Sequence, residues 1–258
     1  MKKIDSINNP LIKKIKKLLN NKKERQKNNY FILEGFRSIE GAIRDNNDFI
    51  DIKEVLISSE FNKSLPSSCS LKTTEVNSNI FDKISDVKHH QGIMAIAIMK
   101  KNITLNNNFQ KILLLENIND PGNFGTLIRT AVASNYDAVI ITGKCVDYTN
   151  PKVVRSSMGA ICHIPIIECS LEEISDFSKT NYCIISSVIN DGISIFDYTF
   201  KEKFILAVGS EAHGITQELL QITHDKVTIP INNNVESLNA AIAGSMMMLY
   251  SCKKSGGR

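Results

Sequence analysis

From Lys111 onward, short apolar runs alternate with helix-patterned stretches, and this alternation limits the fold more than any other feature of the chain. ILLLE (112–116), AVIITG (138–143), HIPII (163–167), YCIISSV (182–188), FILAVG (204–209) and KVTIPI (226–231) read as strands. Helices are expected over 123–134, near 151–158, over 171–178 and over 238–250. The strands are almost continuously apolar, as in a sheet covered by helices on both faces. The expectation is therefore an α/β domain built on a mostly parallel sheet.

A smaller α/β module precedes it. YFIL (30–33), IKEVLIS (52–58), LKTTEV (71–76) and GIMAIAIM (92–99) read as strands, with helices over FRSIEGAIR and NSNIFDKIS. Lys100 to Gln110 is polar and asparagine-rich, with little to bury. The expected organisation is a basic leader plus the smaller α/β module over 1–101, a linker over 102–110, and the larger α/β domain over 111–258.

With 258 residues, 42% hydrophobic and 22% charged, the chain is neither disordered nor collagen-like nor disulfide-stapled. Its longest clean apolar run, Ile93 to Met99, is far short of the roughly 20 residues a membrane helix needs, so no membrane partner is expected. No apolar stretch follows Lys2 and Lys3, so a secretory signal is not expected either. Six cysteines without a CxxC pair read as reduced thiols, mostly in the core of a cytoplasmic protein, with no metal site.

The net charge of +4 conceals an uneven distribution. Residues 1–30 hold ten basic side chains against Asp5 and Glu24, so this segment carries +8 and the remainder −4. Between Pro10 and Leu19, apolar Leu11, Ile12, Ile15, Leu18 and Leu19 recur at helical spacing with Lys13, Lys14, Lys16 and Lys17 among them. One stripe can dock on the protein while the lysines face phosphate, and a structured RNA is the partner expected. A solvated helix face is the alternative, and a membrane-surface helix is a weaker third reading because the stripe lacks aromatic anchors.

Three loops follow strands and can carry chemistry, since ligands of open α/β sheets bind at strand carboxyl ends. The first is Glu116 to Gly125, leading into a helix whose apolar stripe leaves Arg129 off centre. The second, Gly209 to Gly214, has the G-x-x-x-x-G spacing of a phosphate loop but continues Ile215-Thr216 where that loop needs Lys then Ser or Thr. A G-x-G-x-x-G dinucleotide fingerprint is also missing. The third runs from Ile229 to Asn239 into the last helix, with Ser237 as its expected N-cap and Leu238, Ala241, Ile242, Met246 and Leu249 as its apolar face.

In this order and spacing, DPGNFGTLIRTA (120–131), ILAVGSEAHGIT (205–216) and VTIPINNNVESLNAAIA (227–243) resemble the three signature motifs of the SpoU (TrmH-type) RNA ribose methyltransferases of the SPOUT superfamily. INNPLIKKIKKL, YFILEGFRSIEGAI and HHQGIMAIA resemble the substrate-binding module found ahead of that domain in many ribosomal-RNA members. Relatives commonly carry glycine where this chain has Asn232-Asn233-Asn234, and asparagine tolerates left-handed backbone better than most residues. The resemblance implies methyl transfer from S-adenosylmethionine to a ribose 2′-hydroxyl, a deep trefoil knot around the cofactor pocket, and a homodimer. It assigns Asn123, Arg129, Glu211, Ser237 and Asn239 to catalysis. It places Gly209, Ile229 and Leu238 at the cofactor, with Thr142 and Gly143 as neighbours. Lys13, Lys14, Lys16, Lys17 and Arg37 are the RNA contacts expected.

A ribose hydroxyl is a poor nucleophile at neutral pH, so such an enzyme must align it with the methyl donor and stabilise charge developing on oxygen. A guanidinium with a pKa above about 12 suits a clamp on phosphate and oxyanion better than a general base. On that reading Glu211 orients Arg129, while Ser237 and Asn239 hold the nucleotide. A ribosomal RNA substrate of the 23S type is favoured by the amino-terminal module. A transfer-RNA ribose methyltransferase and a non-catalytic RNA-binding or ribosome-assembly factor are the alternatives.

Overall fold

The computed structural model describes residues 1–44, 49–66, 71–85, 87, 89–100 and 103–253. Cys69, Lys101 and the first linker residue, Asn102, lie outside the described residues. Two compact units are present: Met1–Lys101 with Thr149–His163, and Asn102–Tyr148 with Ile164–Arg258. Thr149–His163 interrupts the second unit in sequence yet packs with the first.

The chain begins β1 (Lys2–Ile4), α1 (Pro10–Asn20), α2 (Lys22–Asn28), β2 (Tyr30–Glu34), α3 (Phe36–Arg44), β3 (Ile50–Ser58), β4 (Thr73–Val76), α4 (Ser78–Ile84) and β5 (Ile93–Met99). It continues β6 (Lys111–Glu116), α5 (Pro121–Ala133), β7 (Ala138–Thr142), α6 (Pro151–Ser156), β8 (Ile166–Glu168), α7 (Leu171–Ser178) and β9 (Cys183–Ser187). The last elements are β10 (Ile193–Ser194), β11 (Phe204–Val208), α8 (Gln217–Gln221), β12 (Asp225–Thr228) and α9 (Ala240–Lys253).

Among the described residues, the first unit holds a mixed sheet in the order β1-β4-β3-β5-β2, with β5 antiparallel to both neighbours. Pro10 starts α1, whose free Leu11 N–H is capped by Asn9 Oδ1 at 2.9 Å. The helix buries Ile12, Ile15, Leu18 and Leu19 against β2 and α4 residues, so the docking stripe read from the sequence is the one used. Arg25 of α2 is buried and donates to the Leu18 carbonyl at 2.8 Å, closing the end of α1. This leader arginine is structural. Lys13 and Lys17 are exposed, whereas Lys14 lies 3.9 Å over the Tyr30 ring. Within the same unit α6 packs on β2, and Gly159, at φ +90°, lets the chain pass close to Ser38.

The second unit has a sheet in the order β10-β12-β9-β11-β6-β7-β8, with every pairing parallel. The expected mostly parallel α/β architecture is present. Every residue of β7 and β11 is buried, as required of strands covered on both faces. The strand expected over 163–167 begins only at Ile166, because a 3-10 turn occupies Ala160–Cys162 and Pro165 has no N–H to give a ladder. The short elements β1, β10, α2 and α8 lack enough periodicity to be read from sequence. Among the described residues no helix is long and apolar enough to cross a membrane.

The last helix departs most from expectation. Its buried apolar side chains are Ala240, Ala241, Met247 and Met248, while Ile242, Met246 and Leu249 are 54%, 43% and 57% exposed. Gly244 sets the contact: a Cβ there would meet Leu127 Cδ2 at 2.6 Å and Val208 Cγ2 at 3.1 Å. With α5 and β11 this close to the glycine, Ile242, Met246 and Leu249 are turned outward.

Candidate active site

Because the second sheet is parallel, the carboxyl ends of β9, β11 and β12 share one edge, and the loops leaving them surround an open cavity. Its wall includes Val188, Val208, Ile229, Leu238 and Met247, with Ser187, Glu211, Thr228 and Ser237 supplying polar groups. The mixture of apolar walls with few polar groups is what small-molecule sites use. Gly209, Ile229 and Leu238, expected at the cofactor, all line it, as do Glu211 and Ser237.

The second loop is closed on itself. Gly214 N donates to Ser210 O at 2.9 Å, and His213 N to Ser210 Oγ at 3.2 Å. The closure brings Gly214 so near Gly209 that a Cβ on Gly209 would lie 2.2 Å from the Gly214 carbonyl carbon and oxygen. Just beyond the loop, Thr216 N and Oγ1 donate to the buried Glu116 carboxylate at 2.8 and 2.5 Å. The end of β6 and the loop after β11 are thereby fixed to each other. His213 is exposed and bonded only through its backbone among the described residues, which fits a loop residue.

Side chains from all three loops are joined. Asn123 Nδ2 donates to Glu211 Oε1, and Asn239 Nδ2 donates to Asn123 Oδ1 at 3.1 Å. Asp120 caps α5 through Asn123 N at 2.8 Å, with Pro121 at the first helical position, which sets where Asn123 points. Asn239 Oδ1 accepts from Ala241 N and Ile242 N at 2.9 and 3.2 Å. The cap of α9 is therefore Asn239 and not Ser237, which stays exposed on the cavity rim.

Three expectations need revision. Glu211 bonds Asn123 and does not orient Arg129, which is exposed on α5 and makes no ion pair or hydrogen bond among the described residues. Thr142 and Gly143 do not line the cavity. Thr142 O accepts from Asn117 N at 3.3 Å, and Gly143, at φ +68°, passes so close to Asn117 that a Cβ would lie 2.4 Å from its Oδ1. None of Asn232, Asn233 and Asn234 adopts the left-handed backbone; Asn232 Oδ1 instead accepts from Asn234 N at 2.9 Å in a local side-chain turn. Ser187, Val188 and Ile189, which line the cavity from the end of β9, escaped the sequence reading. The only available signal was that they end a strand beside β11.

Burial raises the Cys145 thiol above its ordinary value, backbone hydrogen bonds from the first loop offsetting this in part, so the thiol stays protonated. Among the described residues no group of three or more His, Cys, Asp or Glu side chains can hold a metal.

The sequence model of the SpoU rRNA Methylase family matches residues 110–249, the span that builds the cavity and the joined loops. The chain belongs to the SpoU rRNA methylase family. A second model, the MRM3-like substrate binding domain, matches residues 9–95 of this SpoU methylase. The chain is 30% identical over 251 residues to the 23S rRNA (guanosine(2553)-2'-O)-methyltransferase RlmP of Bacillus subtilis, covering 97% of this chain and 99% of that one. Among solved structures, an RNA 2'-O ribose methyltransferase superposes with a TM-score of 0.81 at 25% identity, covering 98% of this chain and 99% of that one. The S-adenosylmethionine-bound rRNA methyltransferase of Sinorhizobium meliloti shares the fold, with a TM-score of 0.85 at 23% identity and coverage of 98% and 97%.

Proposed function

We propose that this SpoU methylase transfers the methyl group of S-adenosylmethionine to a ribose 2′-hydroxyl of ribosomal RNA of the 23S type. The observation that carries the reading is the cavity at the ends of β9, β11 and β12, whose rim residue Glu211 is hydrogen-bonded through Asn123 to Asn239. The cavity suits the cofactor: apolar walls for a flat adenine, hydroxyls of Ser187, Thr228 and Ser237 for polar groups, and the bare Cα of Gly209 on its wall. S-adenosylmethionine, when bound, supplies an electrophilic methyl on a sulfonium.

The chain's own residues then divide the work. Asn123 and Asn239 are positioning residues, because their amide groups are engaged with Glu211, with each other and with the α9 backbone. Ser237 is the neutral donor left on the rim to hold the nucleotide. Arg129, charged and unengaged, clamps phosphate and stabilises the developing oxyanion. It stands on α5, beside α9 with its exposed Ile242, Met246 and Leu249. That stripe, at i, i+4 and i+7, is apolar surface suited to a second copy, so we place the site in a homodimer in which a partner subunit's arginine completes it. Residues 1–101 form the RNA-binding part and 111–258 the knotted methyltransferase part, joined over 102–110, in a cytoplasmic enzyme. Lys13, Lys17 and Arg37 are the exposed phosphate contacts, with Lys14 and Lys16 contributing from half-buried positions.

The amino-terminal match to a substrate-binding domain and the RlmP likeness over nearly the whole chain favour ribosomal over transfer RNA. The test is incubation of purified protein with methyl-labelled S-adenosylmethionine and unmodified total RNA, followed by mapping of the labelled ribose. Label in one 23S-type position is expected. Label confined to transfer RNA, or none in any RNA, would overturn the reading.

A further inference from the structure

In the first unit, β2 and β3 both run antiparallel to β5, so their carboxyl ends lie beside the start of β5, with Glu34 opposite Met94 and Ile57 opposite Ile93. Three segments therefore gather at one sheet edge: the turn at Gly35 with the first residues of α3, Ser58 to Lys63, and His89 to Gly92. Two of them present aromatic rings. Phe36 and Phe61 are half-buried and have ring centroids 6.1 Å apart at 40°. The Lys63 ammonium stands 4.8 Å over the Phe36 ring, and Arg37 is exposed one residue further on.

The corner is rigid. Phe36 N donates to Gln91 Oε1 at 2.7 Å, and Gly35 N to Ile93 O at 3.2 Å. Phe61 N donates to Ser58 O at 2.9 Å, and Ser58 N to Gly92 O at 2.8 Å. Gly92, at φ +68°, lies against Phe61: a Cβ would come within 3.3 Å of Ser58 Cβ and 3.7 Å of Phe61. His90 braces the third loop, its Nδ1 accepting from Gly92 N at 3.1 Å and its Nε2 2.7 Å from Asp82 Oδ1. Pre-set rings with cations beside them lower the entropy cost of capturing a flat ligand.

We propose that this corner stacks one unpaired nucleobase of the RNA substrate, with Lys63 and Arg37 meeting the flanking phosphates. The inference rests on reading the chain as an RNA methyltransferase and adds a recognition site remote in sequence from the cavity. The amide of Phe36 is taken by Gln91, and exposed Glu60 stands beside Phe61, so the corner is not built for a bare anion. What it offers is a ring face with cations at its side, which selects a base free to leave its stack. The unit's +8 leader supplies the attraction for the polyanion that carries the base.

The chain has no tryptophan, so Phe36→Trp places a single indole reporter at the corner. Fluorescence of that variant would be titrated with a 12-nucleotide oligoadenylate and, separately, with the same strand paired to oligouridylate. Strong quenching by the single strand and little by the duplex is expected. Phe36→Leu keeps the apolar bulk but removes the ring face, so it is expected to weaken single-strand binding about tenfold. Its salt slope and its S-adenosylmethionine affinity are expected to stay unchanged. Equal quenching by both RNAs, no quenching by either, or an unaltered affinity of Phe36→Leu would each overturn the proposal, the second outcome leaving the corner to a protein partner. Methyl transfer by the wild-type chain reports separately: transfer without stacking rejects the corner alone, and stacking without transfer rejects the activity alone.

Discussion

Gly209→Ala tests whether the cavity and its closing loop work as one unit. The added Cβ would lie 2.2 Å from the carbonyl carbon and oxygen of Gly214 and 2.5 Å from Ile215 N. All three are backbone atoms, so no side-chain rotation relieves the clash, and the loop must open by about 1 Å to reach ordinary contact. Overpacking of this kind costs about 1–3 kcal/mol. The strain falls on Ser210, Glu211 and Gly214, which line the cavity, while the buried strand Phe204–Val208 behind them is left alone. At 1.4 kcal/mol per decade, S-adenosylmethionine affinity is expected to fall about 10- to 100-fold, with Tm lower by several degrees. Gly214→Ala is the control: a Cβ there meets nothing within 4 Å, and only its φ of +63° opposes the change, at about 1 kcal/mol. Isothermal titration with S-adenosylmethionine measures both. Wild-type affinity in Gly209→Ala would refute the assignment of this cavity to the cofactor.

Arg129→Ala is expected to lower single-turnover methylation on the order of 10²–10³-fold while sparing cofactor binding, with Arg129→Lys intermediate because it keeps the charge and loses the planar fork; near-normal turnover in the alanine variant would remove Arg129 from the site. Replacing Lys13 and Lys17 with alanine is expected to reduce the log–log salt slope of RNA binding by about two units. Adding Lys14→Ala, whose ammonium is already over Tyr30, is expected to change the slope less, and filter-binding at graded salt measures both effects. Ile242→Glu with Leu249→Glu alters exposed positions, so the chain is expected to stay folded but to sediment as a 28.8 kDa monomer without methyl transfer; an active monomer would dismiss the dimer.

Much of the fold was legible because its signals are local. Asn9-Pro10 and Asp120-Pro121 announce helix starts within a few residues, and the all-apolar β7 and β11 announce a doubly covered sheet. The loops were legible for the same reason, since each is a contiguous run between a strand and a helix. What each loop residue touches was not. Asn123 and Glu211 are 88 positions apart and Glu116 and Thr216 are 100 apart, so which of them meet depends on β6 and β11 pairing side by side.

The last helix shows where sequence stops deciding. The order of residues along Ala240–Lys253 establishes that Ile242, Met246 and Leu249 share a face, but a helix with apolar residues on several sides does not specify which side packs inward. That choice followed from Gly244 seating against Leu127 and Val208, two residues brought together only by the folded sheet. Likewise the sequence alone determined that Thr149–His163 contains a short helix, while its packing with the first unit arose from contacts between α6 and β2, more than a hundred residues apart. Periodicity encodes the faces of an element because neighbours along the chain fix them. The partner of each face is a long-range contact, settled when the whole core closes.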